Sequence, residues 1–338
     1  MKKQRLFYLD LIRAVSLICI VIYHFNLHVG FHGINGPMVF KFINNDYFAG
    51  IGISLFVLIS GASLMYTYQQ KFELKNYIKR RFLSIYPVFW TGYIIAFLFN
   101  FYMNLSINDT VPKWAIIFSV LGMDGYLSQL VPNFYQVGEW FLGFIIIFYV
   151  IFPFLRKYVV ERPVILATSA FLLYGASIWL NIYGYNFFRY PDIFSYLPEF
   201  LFGMYFVVYL KKVNVFLFSG SLIFLYLSIN GIIDVYSSIN VLILCVSSFL
   251  TLTFIGQMIG NIKVQACISF ISKYSFAGII ANQMVMIYIM RRFTGVTLTR
   301  TESYLLFLIV FAVIMLTAVT ISKLSNKAVK ILVSEKES

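Results

Sequence analysis

The sequence predicts an all-α fold, a polytopic transmembrane helical bundle of about ten spans with both termini in the cytoplasm. Composition is the first reason. Of the 338 residues 61% are hydrophobic and only 12% are charged, so the polar side chains are too few to cover a soluble globule of this size. The second reason is that the apolar runs repeatedly exceed the roughly 20 residues of a bilayer-spanning helix. Most of them also lack the two-residue alternation of outer-membrane barrel strands.

The apolar runs give the predicted spans in chain order. The first is too long and too charged for a secretory signal and has no small-residue cleavage site, so we expect it to remain in the protein. The longest predicted loop, 106–136, contains an apolar stretch, WAIIFSVLGM, which we expect at the membrane interface or partway into the membrane. The spans are 6–28, 47–69, 84–105, 137–155, 163–183, 193–210, 213–230, 239–257, 274–290 and 303–322.

Lysine and arginine are unevenly distributed between the two sides of this bundle, which is the third reason. Of these 26 residues, 19 lie in alternate loops or near the termini, the side that the positive-inside rule assigns to the cytoplasm. The net charge of +13 is therefore a topology signal, and nucleic-acid binding is the poorer interpretation because the charges form no single stripe. The inward segments are 2–5, 71–81, 156–162, 211–212, 263–273 and 323–336.

Three ionisable residues lie inside the first predicted span: Asp10, Arg13 and His24. Such groups in hydrocarbon cost several kcal/mol unless they are paired or face a wet cavity, so they indicate function. Asp10 lies one turn before Arg13 and can form a charge-assisted pair with it. Eleven residues separate Arg13 from His24, which is three turns plus about 20°, so both lie on one helix face.

The depths of these two residues in the bilayer differ. With a cytoplasmic start near residue 6, Arg13 lies about 10 Å deep and His24 about 27 Å deep in a core of roughly 30 Å. The alternative is structural, namely an aspartate–arginine pair that holds helices together and a histidine at the outer interface.

A basic segment precedes the third predicted span. Lys79, Arg80 and Arg81 lie at the inner face immediately before an apolar helix, where guanidinium groups are suited to bind phosphate. A positive-inside anchor or a contact with lipid headgroups produces the same pattern, and the two interpretations stay open.

Two glutamates lie at or inside the outer ends of the fourth and sixth predicted spans. Glu139 and Glu199 lie at a depth similar to that of His24, where a carboxylate can orient the imidazole or bind sugar hydroxyls. Simple placement at the interface is equally consistent. Trp140 follows Glu139, and although such aromatics most often form the interfacial belt, a cavity among them suits sugar faces.

Histidine and cysteine spacing does not favour a metal site. His24, His28 and His32 recur every four residues, but we expect Gly30 to end the helix before the last of them, and no carboxylate or cysteine is close in sequence. The three cysteines are far apart and are predicted to be packing residues. We expect no metal and no permanently bound cofactor.

The chain resembles the integral-membrane acyltransferase family 3, of the bacterial polysaccharide O-acyltransferase type. The family's first helix carries an Asp-x-x-Arg and an Arg-x10-His pattern, which fall here on Asp10, Arg13 and His24. The similarity continues through FVLISGASL, YIKRRFLSIYP, WFLGFIIIFYVIFP, LPEFLFGM and SKYSFAGIIANQ, and so covers most of the chain.

The sequence departs from the family pattern at three positions. Ser84 stands where many members have a second arginine, and Ile145 where many have a glutamate, leaving Glu139 as an unaligned substitute. Asn282 occupies the position of a late histidine, and we retain it with Glu139, Glu199 and Trp140 as a candidate acceptor-side residue.

The resemblance implies an acyl-CoA donor, most simply acetyl-CoA, in the cytoplasm and a carbohydrate or lipid-linked glycan acceptor. We expect a single membrane domain over 1–338, without a soluble extracytoplasmic domain, that O-acetylates a cell-surface or exported polysaccharide such as a capsule or exopolysaccharide. Lys79, Arg80 and Arg81, with Arg13 deeper, would hold the donor phosphates. His24 would act as general base or, alternatively, as a transient acyl carrier.

Two other functions stay open from the residues alone. One is a transporter or flippase for a glycan intermediate, with Arg13, Glu139 and Glu199 along its path. The other is a structural partner of polysaccharide assembly machinery. The richness in Lys, Asn, Ile, Phe and Tyr is typical of an AT-rich bacterial genome, and we expect the protein in the bacterial plasma membrane.

Overall fold

The computed structural model describes residues 5–41, 43–104, 111–128, 130–132, 140–184 and 192–334. Within these ranges the chain is helical, with one isolated β-bridge between Asn35 and Thr297 and no β-strand. The helices are α1 (Phe7–Phe31), α2 (Asn45–Tyr68), α3 (Leu74–Asn104), α4 (Ile116–Leu121), α5 (Trp140–Glu161), α6 (Pro163–Ile182), α7 (Ile193–Tyr205), α8 (Val215–Ile229), α9 (Ser237–Met258), α10 (Ile262–Met290) and α11 (Arg300–Ser334).

The predicted all-α membrane bundle is confirmed. In the part of the chain that the structure describes, nine helices are long and apolar enough to span a membrane, counting α7 with its π-helical continuation to Leu210. The seventh predicted span, 213–230, corresponds to α8, an apolar helix of 15 residues. The ends of the predicted inward segments at Lys2, Lys3 and Lys336 lie outside the described residues.

Three helices extend well beyond the predicted spans. Helix α3 begins at Leu74 instead of residue 84, α10 begins at Ile262 instead of 274, and α11 ends at Ser334 instead of 322. Hydropathy marks only the part of a helix that suits hydrocarbon, whereas lysine, arginine and glutamate continue a helix readily into water. The placement of Lys79, Arg80 and Arg81 before the third helix is therefore wrong, because all three lie inside α3.

The chain forms two compact units. The first comprises Met1–Ile20, Phe42–Phe72 and Phe148–Lys273, and the second comprises Val21–Lys41, Glu73–Ile147 and Tyr274–Ser338. Helices α1, α5 and α10 each contribute one part to each unit.

The first unit is built on close contact between α2 and α7. A Cβ atom on Gly61 would collide with the carbonyl of Phe200, and one on Gly203 would collide with the carbonyl of Leu58. Small residues at matched positions let two helix backbones touch, as is common in membrane bundles. The ring of Phe200 stacks on Phe148 at 4.8 Å between centroids. This packing fixes α7, which carries Glu199.

The second unit packs α3, α10 and α11 around small side chains. Its core cluster consists of Ala277, Ala281, Ala318 and Ile321, with Val88, Ile95 and Tyr274 packed against it.

The end of α1 is anchored within the second unit. The Asn26 amide donates to the Val39 carbonyl and accepts from the Val39 N–H, both at 3.0 Å. Asn35 pairs with the loop before α11, because its N–H donates to Val296 and its carbonyl accepts from Leu298. These bonds fix the last turns of α1, where His24 and His28 lie.

The apolar stretch of the predicted loop 106–136 forms a short helical segment in the second unit, a turn at Lys113–Ala115 followed by α4. Trp90 Nε1 donates to the Val120 carbonyl at 2.8 Å, and the Tyr86 hydroxyl donates to the Leu121 carbonyl at 3.2 Å. Trp114, Ile116 and Ile117 are more than half exposed. An exposed apolar face of this kind is typical of a segment in the membrane interface.

Candidate active site

Asp10 is the buried centre of a polar cluster in the first unit. Only 7% of its side chain is exposed, and its carboxylate accepts bonds from Arg5 Nε at 2.5 Å and from Ser272 Oγ at 2.9 Å. The predicted pair with Arg13 is present, with 3.8 Å between Nη1 and Oδ1. The carboxylate thus faces two guanidinium groups and a hydroxyl, which offsets the cost of burying it.

Arg13 is held at its other side by α2. Its Nη2 donates to Ser63 Oγ at 3.4 Å, and 32% of its side chain is exposed. A guanidinium that is fixed by neighbours yet partly open can still bind an oxyanion. This geometry is compatible with both the structural and the functional interpretation of Arg13.

Two members of this cluster were not foreseen from the sequence. Arg5 was counted only as a topology signal, yet it makes the shortest contact with Asp10, and this hydrogen bond raises the pKa of Arg5. Ser272 lies 262 residues away in the chain, so no local pattern connects it to Asp10.

His24 belongs to a second cluster, in the second unit. It lies on α1, half-buried, with its ring edge-on to Tyr23 at 5.1 Å. Its Nδ1 is 2.9 Å from Gln283 Nε2, on α10. The other end of that amide, Oε1, is 3.1 Å from His28 Nε2. One amide therefore connects two imidazoles.

Gln283 was also missed from the sequence, although a signal was present. It follows Asn282 within an apolar helix, and a side-chain amide in such surroundings needs partners. Asn282, the residue predicted for the acceptor side, donates instead to the Ile279 carbonyl of its own helix at 2.5 Å. The residue that reaches His24 is its neighbour.

The third histidine does not complete a metal site. His32 stacks on His28 at 5.7 Å between ring centroids. Among the residues that the structure describes, no three or more histidine, cysteine, aspartate or glutamate side chains are placed to hold a metal ion.

Glu199 lies in the interior of α7. It is 2% exposed, and its Oε1 accepts from Ser54 Oγ of α2 at 3.4 Å. Trp140 is the first residue of α5 and packs against Phe141 and Phe144. Glu139, which precedes it, lies outside the described residues.

The three basic residues of α3 differ in exposure. Lys79 and Arg80 are exposed, whereas Arg81 is half-buried. Ser84, which replaces a second arginine, donates its hydroxyl to the Arg81 carbonyl at 2.9 Å. Ile145, which replaces a glutamate, is a core residue at 3% exposure.

Comparison with protein families decides the class of the chain. The model of a family described as an acyltransferase domain matches residues 6–323 of 338. The chain belongs to acyltransferase family 3. The resemblance to acyltransferase family 3 is confirmed, and the match includes Asp10, Arg13, His24 and Gln283. No curated protein and no solved structure matches the chain.

Membership of acyltransferase family 3 makes this chain an acyltransferase that transfers groups other than aminoacyl groups. Membership of this family and the many apolar helices together indicate that the protein is a multi-pass membrane protein. The roles of individual residues within the family 3 domain stay predictions.

Proposed function

We propose that this protein transfers an acyl group, acetyl in the simplest case, from cytoplasmic acyl-CoA to a hydroxyl of a cell-surface or exported polysaccharide. We place it in the plasma membrane of a bacterium. The observation that carries the proposal is helix α1, which bears a guanidinium held by a buried carboxylate and, eleven residues later, an imidazole held by an amide.

The orientation of α1 follows from the positive-inside rule. The start of the helix faces the cytoplasm, so Arg13 lies towards the donor and His24 towards the outer face. Eleven residues of α-helix rise about 16 Å, roughly half the hydrocarbon core. On this one helix, the Arg13 guanidinium can bind a phosphate of acyl-CoA from the cytoplasm, and the His24 imidazole can accept a proton from a glycan hydroxyl on the outer side.

Basic residues supply the donor contacts. CoA carries phosphate groups, which guanidinium and ammonium groups bind by charge-assisted hydrogen bonds. Lys79 and Arg80 are exposed on α3, and 32% of the Arg13 side chain is exposed.

His24 acts as the general base in this proposal. The acceptor hydroxyl loses its proton to the imidazole as its oxygen attacks the thioester carbonyl. The carbon–sulfur bond then breaks, the new ester forms, and the proton passes from the imidazole to the departing CoA thiolate. Histidine suits both steps because it changes protonation close to neutral pH. The competing role, an acyl-imidazole intermediate, requires the same residue.

The test is the His24→Ala protein. We expect ester-linked acyl groups, measured by NMR on the surface polysaccharide of cells carrying only the variant, to fall by about 10²- to 10⁴-fold, the usual contribution of a general base. CoA release from acetyl-CoA by the purified full chain, with acceptor polysaccharide present to take the acyl group, should fall equally in His24→Ala and depend on Arg13 and Arg80. His32→Ala serves as the matched control and should retain activity.

Two outcomes would contradict the proposal. Fully acylated polymer from the His24→Ala protein would remove His24 from the reaction. Unchanged acylation with lost polymer export would instead indicate transport of a glycan intermediate.

A further inference from the structure

The amide of Gln283 lies between two histidines and uses both of its ends. Its nitrogen is 2.9 Å from His24 Nδ1, and its oxygen is 3.1 Å from His28 Nε2. His28 is only 6% exposed, and its Nδ1 has no partner among the residues that the structure describes. Gln283 is therefore the main hydrogen-bond partner that the described residues offer to these two imidazole rings.

An amide in this position links the tautomers of the two rings. A neutral imidazole has one N–H donor and one acceptor nitrogen, whereas an amide has a donor end and an acceptor end. If the amide nitrogen faces His24, His24 accepts at Nδ1 and holds its proton on Nε2, and His28 donates from Nε2 to the amide oxygen. Both rings then carry the proton on Nε2.

A half-turn of the amide reverses both rings at once. The oxygen then accepts from His24 Nδ1–H, and the amide nitrogen donates to His28 Nε2, so both rings carry the proton on Nδ1. The half-turn moves only the amide group. Only in this second state does His24 Nε2 have a free electron pair.

In the structure the amide nitrogen faces His24 Nδ1, which is the first of these two states. We propose that Gln283 is the positioning residue of His24: the half-turn of its amide gives His24 the Nδ1–H tautomer, in which Nε2 accepts a proton from the acceptor hydroxyl. This proposal rests on the proposed function of His24 as a base. When Nε2 takes the proton, the ring becomes an imidazolium with an N–H at each nitrogen, and the Gln283 oxygen accepts the one at Nδ1. In the half-turned state Gln283 thus fixes the tautomer of His24, as the carboxylate of a catalytic triad does for its histidine, but without the negative charge of that carboxylate.

His28 has a role in this arrangement as well. In the structure its Nε2 faces the amide oxygen at 3.1 Å. In the half-turned, base-competent state the same Nε2 accepts from the amide nitrogen, which keeps that nitrogen away from His24. We therefore expect the two rings to share one tautomer. Tyr23, on the same helix, is a titratable side chain in ring contact with His24.

The tautomers can be measured without any activity assay. The chain has three histidines, so ¹⁵N-histidine labelling of the full protein in lipid bilayers yields few nitrogen signals in solid-state NMR. His28→Leu and His32→Asn variants assign them. In the wild-type protein at a pH where the rings are neutral, we expect His24 and His28 to show the same tautomer.

Two substitutions of Gln283 then separate the possibilities. Gln283→Met keeps the length of the side chain but makes no such bonds, so His24 should change to a mixture of tautomers. Gln283→Glu has only acceptors, so His24 should donate from Nδ1 and His28 from Nε2, giving opposite tautomers. Gln257→Met, at an exposed position of α9, is the matched control and should leave all signals unchanged.

A tautomer of His24 that is the same in the wild-type and Gln283→Met proteins would overturn the proposal. If Gln283→Met does not fold, His28→Leu tests the link from the other end, because it frees the amide to turn. An unchanged His24 signal in that variant would likewise overturn it.

Kinetics connect the tautomer to catalysis. For CoA release from acetyl-CoA we expect Gln283→Met to lower kcat by about 10- to 100-fold, less than the loss of the base itself, with KM nearly unchanged. Gln283→Glu should retain most of kcat because its carboxylate still accepts from Nδ1. If His24→Ala remains active while the NMR results are as expected, the proposed function fails and the tautomer link stands.

Discussion

At the scale of residues, Asp10 is the group on which the first polar cluster depends. It faces Arg5, Arg13 and Ser272 and is almost fully buried. Removing one partner of a buried charge cluster leaves the others uncompensated, which costs more than the cluster contributes when intact.

We therefore expect Asp10→Asn to lower the free energy of unfolding by about 1.5–3 kcal/mol, the range for hydrogen bonds to charged groups. The Arg5 side chain is 65% exposed. Solvent therefore screens its attraction to Asp10, which moves the expected loss towards the lower end of this range. Thermal unfolding of the purified protein in detergent measures the effect. Asp234→Asn, at an exposed position, is the control, and equal melting temperatures for the two variants would contradict the structural role of Asp10.

A second buried carboxyl, Asp124, should make stability depend on pH. It is fully buried in the loop after α4, and burial raises its pKa although Ser119 Oγ donates to it at 2.6 Å. Because the folded pKa lies above the unfolded one, the contribution of this group to stability is present at low pH. It is lost as the pH rises from about 4, the ordinary value for aspartate, through the folded pKa.

The variant Asp124→Asn removes this titration. The difference in melting temperature, variant minus wild type, should grow more positive from pH 4 towards neutrality, because only the wild type loses stability there. The control is again Asp234→Asn, for which the difference should stay flat. A difference for Asp124→Asn that falls with pH would show that folding lowers the pKa of Asp124 instead of raising it.

The sequence indicates some members of the two polar clusters and not others. Asp10, Arg13 and His24 are visible because ionisable groups are costly in hydrocarbon. Their partners Ser272 and Gln283 are ordinary polar residues, 262 and 259 positions away from the groups they bind. Which distant helix supplies a hydroxyl or an amide is decided by tertiary packing, which one sequence does not reveal.

At the scale of elements, the contact between α2 and α7 depends on two glycines. A Cβ atom at Gly203 would collide with the Leu58 backbone, whereas one at Gly220, in α8, meets nothing within 4 Å. Both glycines lie inside a helix, but only Gly203 packs against the backbone of a neighbouring helix.

Gly203→Ala should therefore destabilise the protein by about 1–3 kcal/mol, the cost of overpacking a well-packed contact. Gly220→Ala should be neutral or slightly stabilising, because alanine is the better helix former. Thermal unfolding of the two variants side by side measures the difference. A Gly203→Ala protein as stable as Gly220→Ala would mean that α2 and α7 separate without cost.

Element boundaries were predicted less well than element number. Helix α3 carries lysine and arginine through its first ten residues, which hydropathy assigns to a loop because these residues do not suit hydrocarbon. The backbone is nevertheless helical in this region: the Tyr77 N–H donates to the Glu73 carbonyl, seven residues before the predicted start of the span at residue 84. Hydropathy reports where a helix meets lipid, not where it begins.

At the scale of the whole molecule, the prediction that both termini are cytoplasmic depends on α8. Nine helices of the described chain are long enough to span, and an odd number would put the termini on opposite sides. With α8 as a tenth span the number is even, as the distribution of lysine and arginine requires.

Reporter fusions test this arrangement. We expect a green fluorescent protein fused after residue 338 to fluoresce and alkaline phosphatase at the same position to be inactive, since each reporter works on only one side of the membrane. Fusions after residue 184, in a predicted outer loop, should give the reverse pattern. An active phosphatase at the C-terminus would mean that α8 does not cross.

A spanning α8 has a consequence for the surrounding lipid. Its 15 residues rise about 22 Å, against a hydrocarbon core of roughly 30 Å. Such a mismatch is relieved by local thinning of the bilayer, at a cost of fractions of a kcal/mol per Å. Lipid next to α8 would then be thinner than elsewhere, so membrane thickness itself would become a variable that tunes the stability of this enzyme.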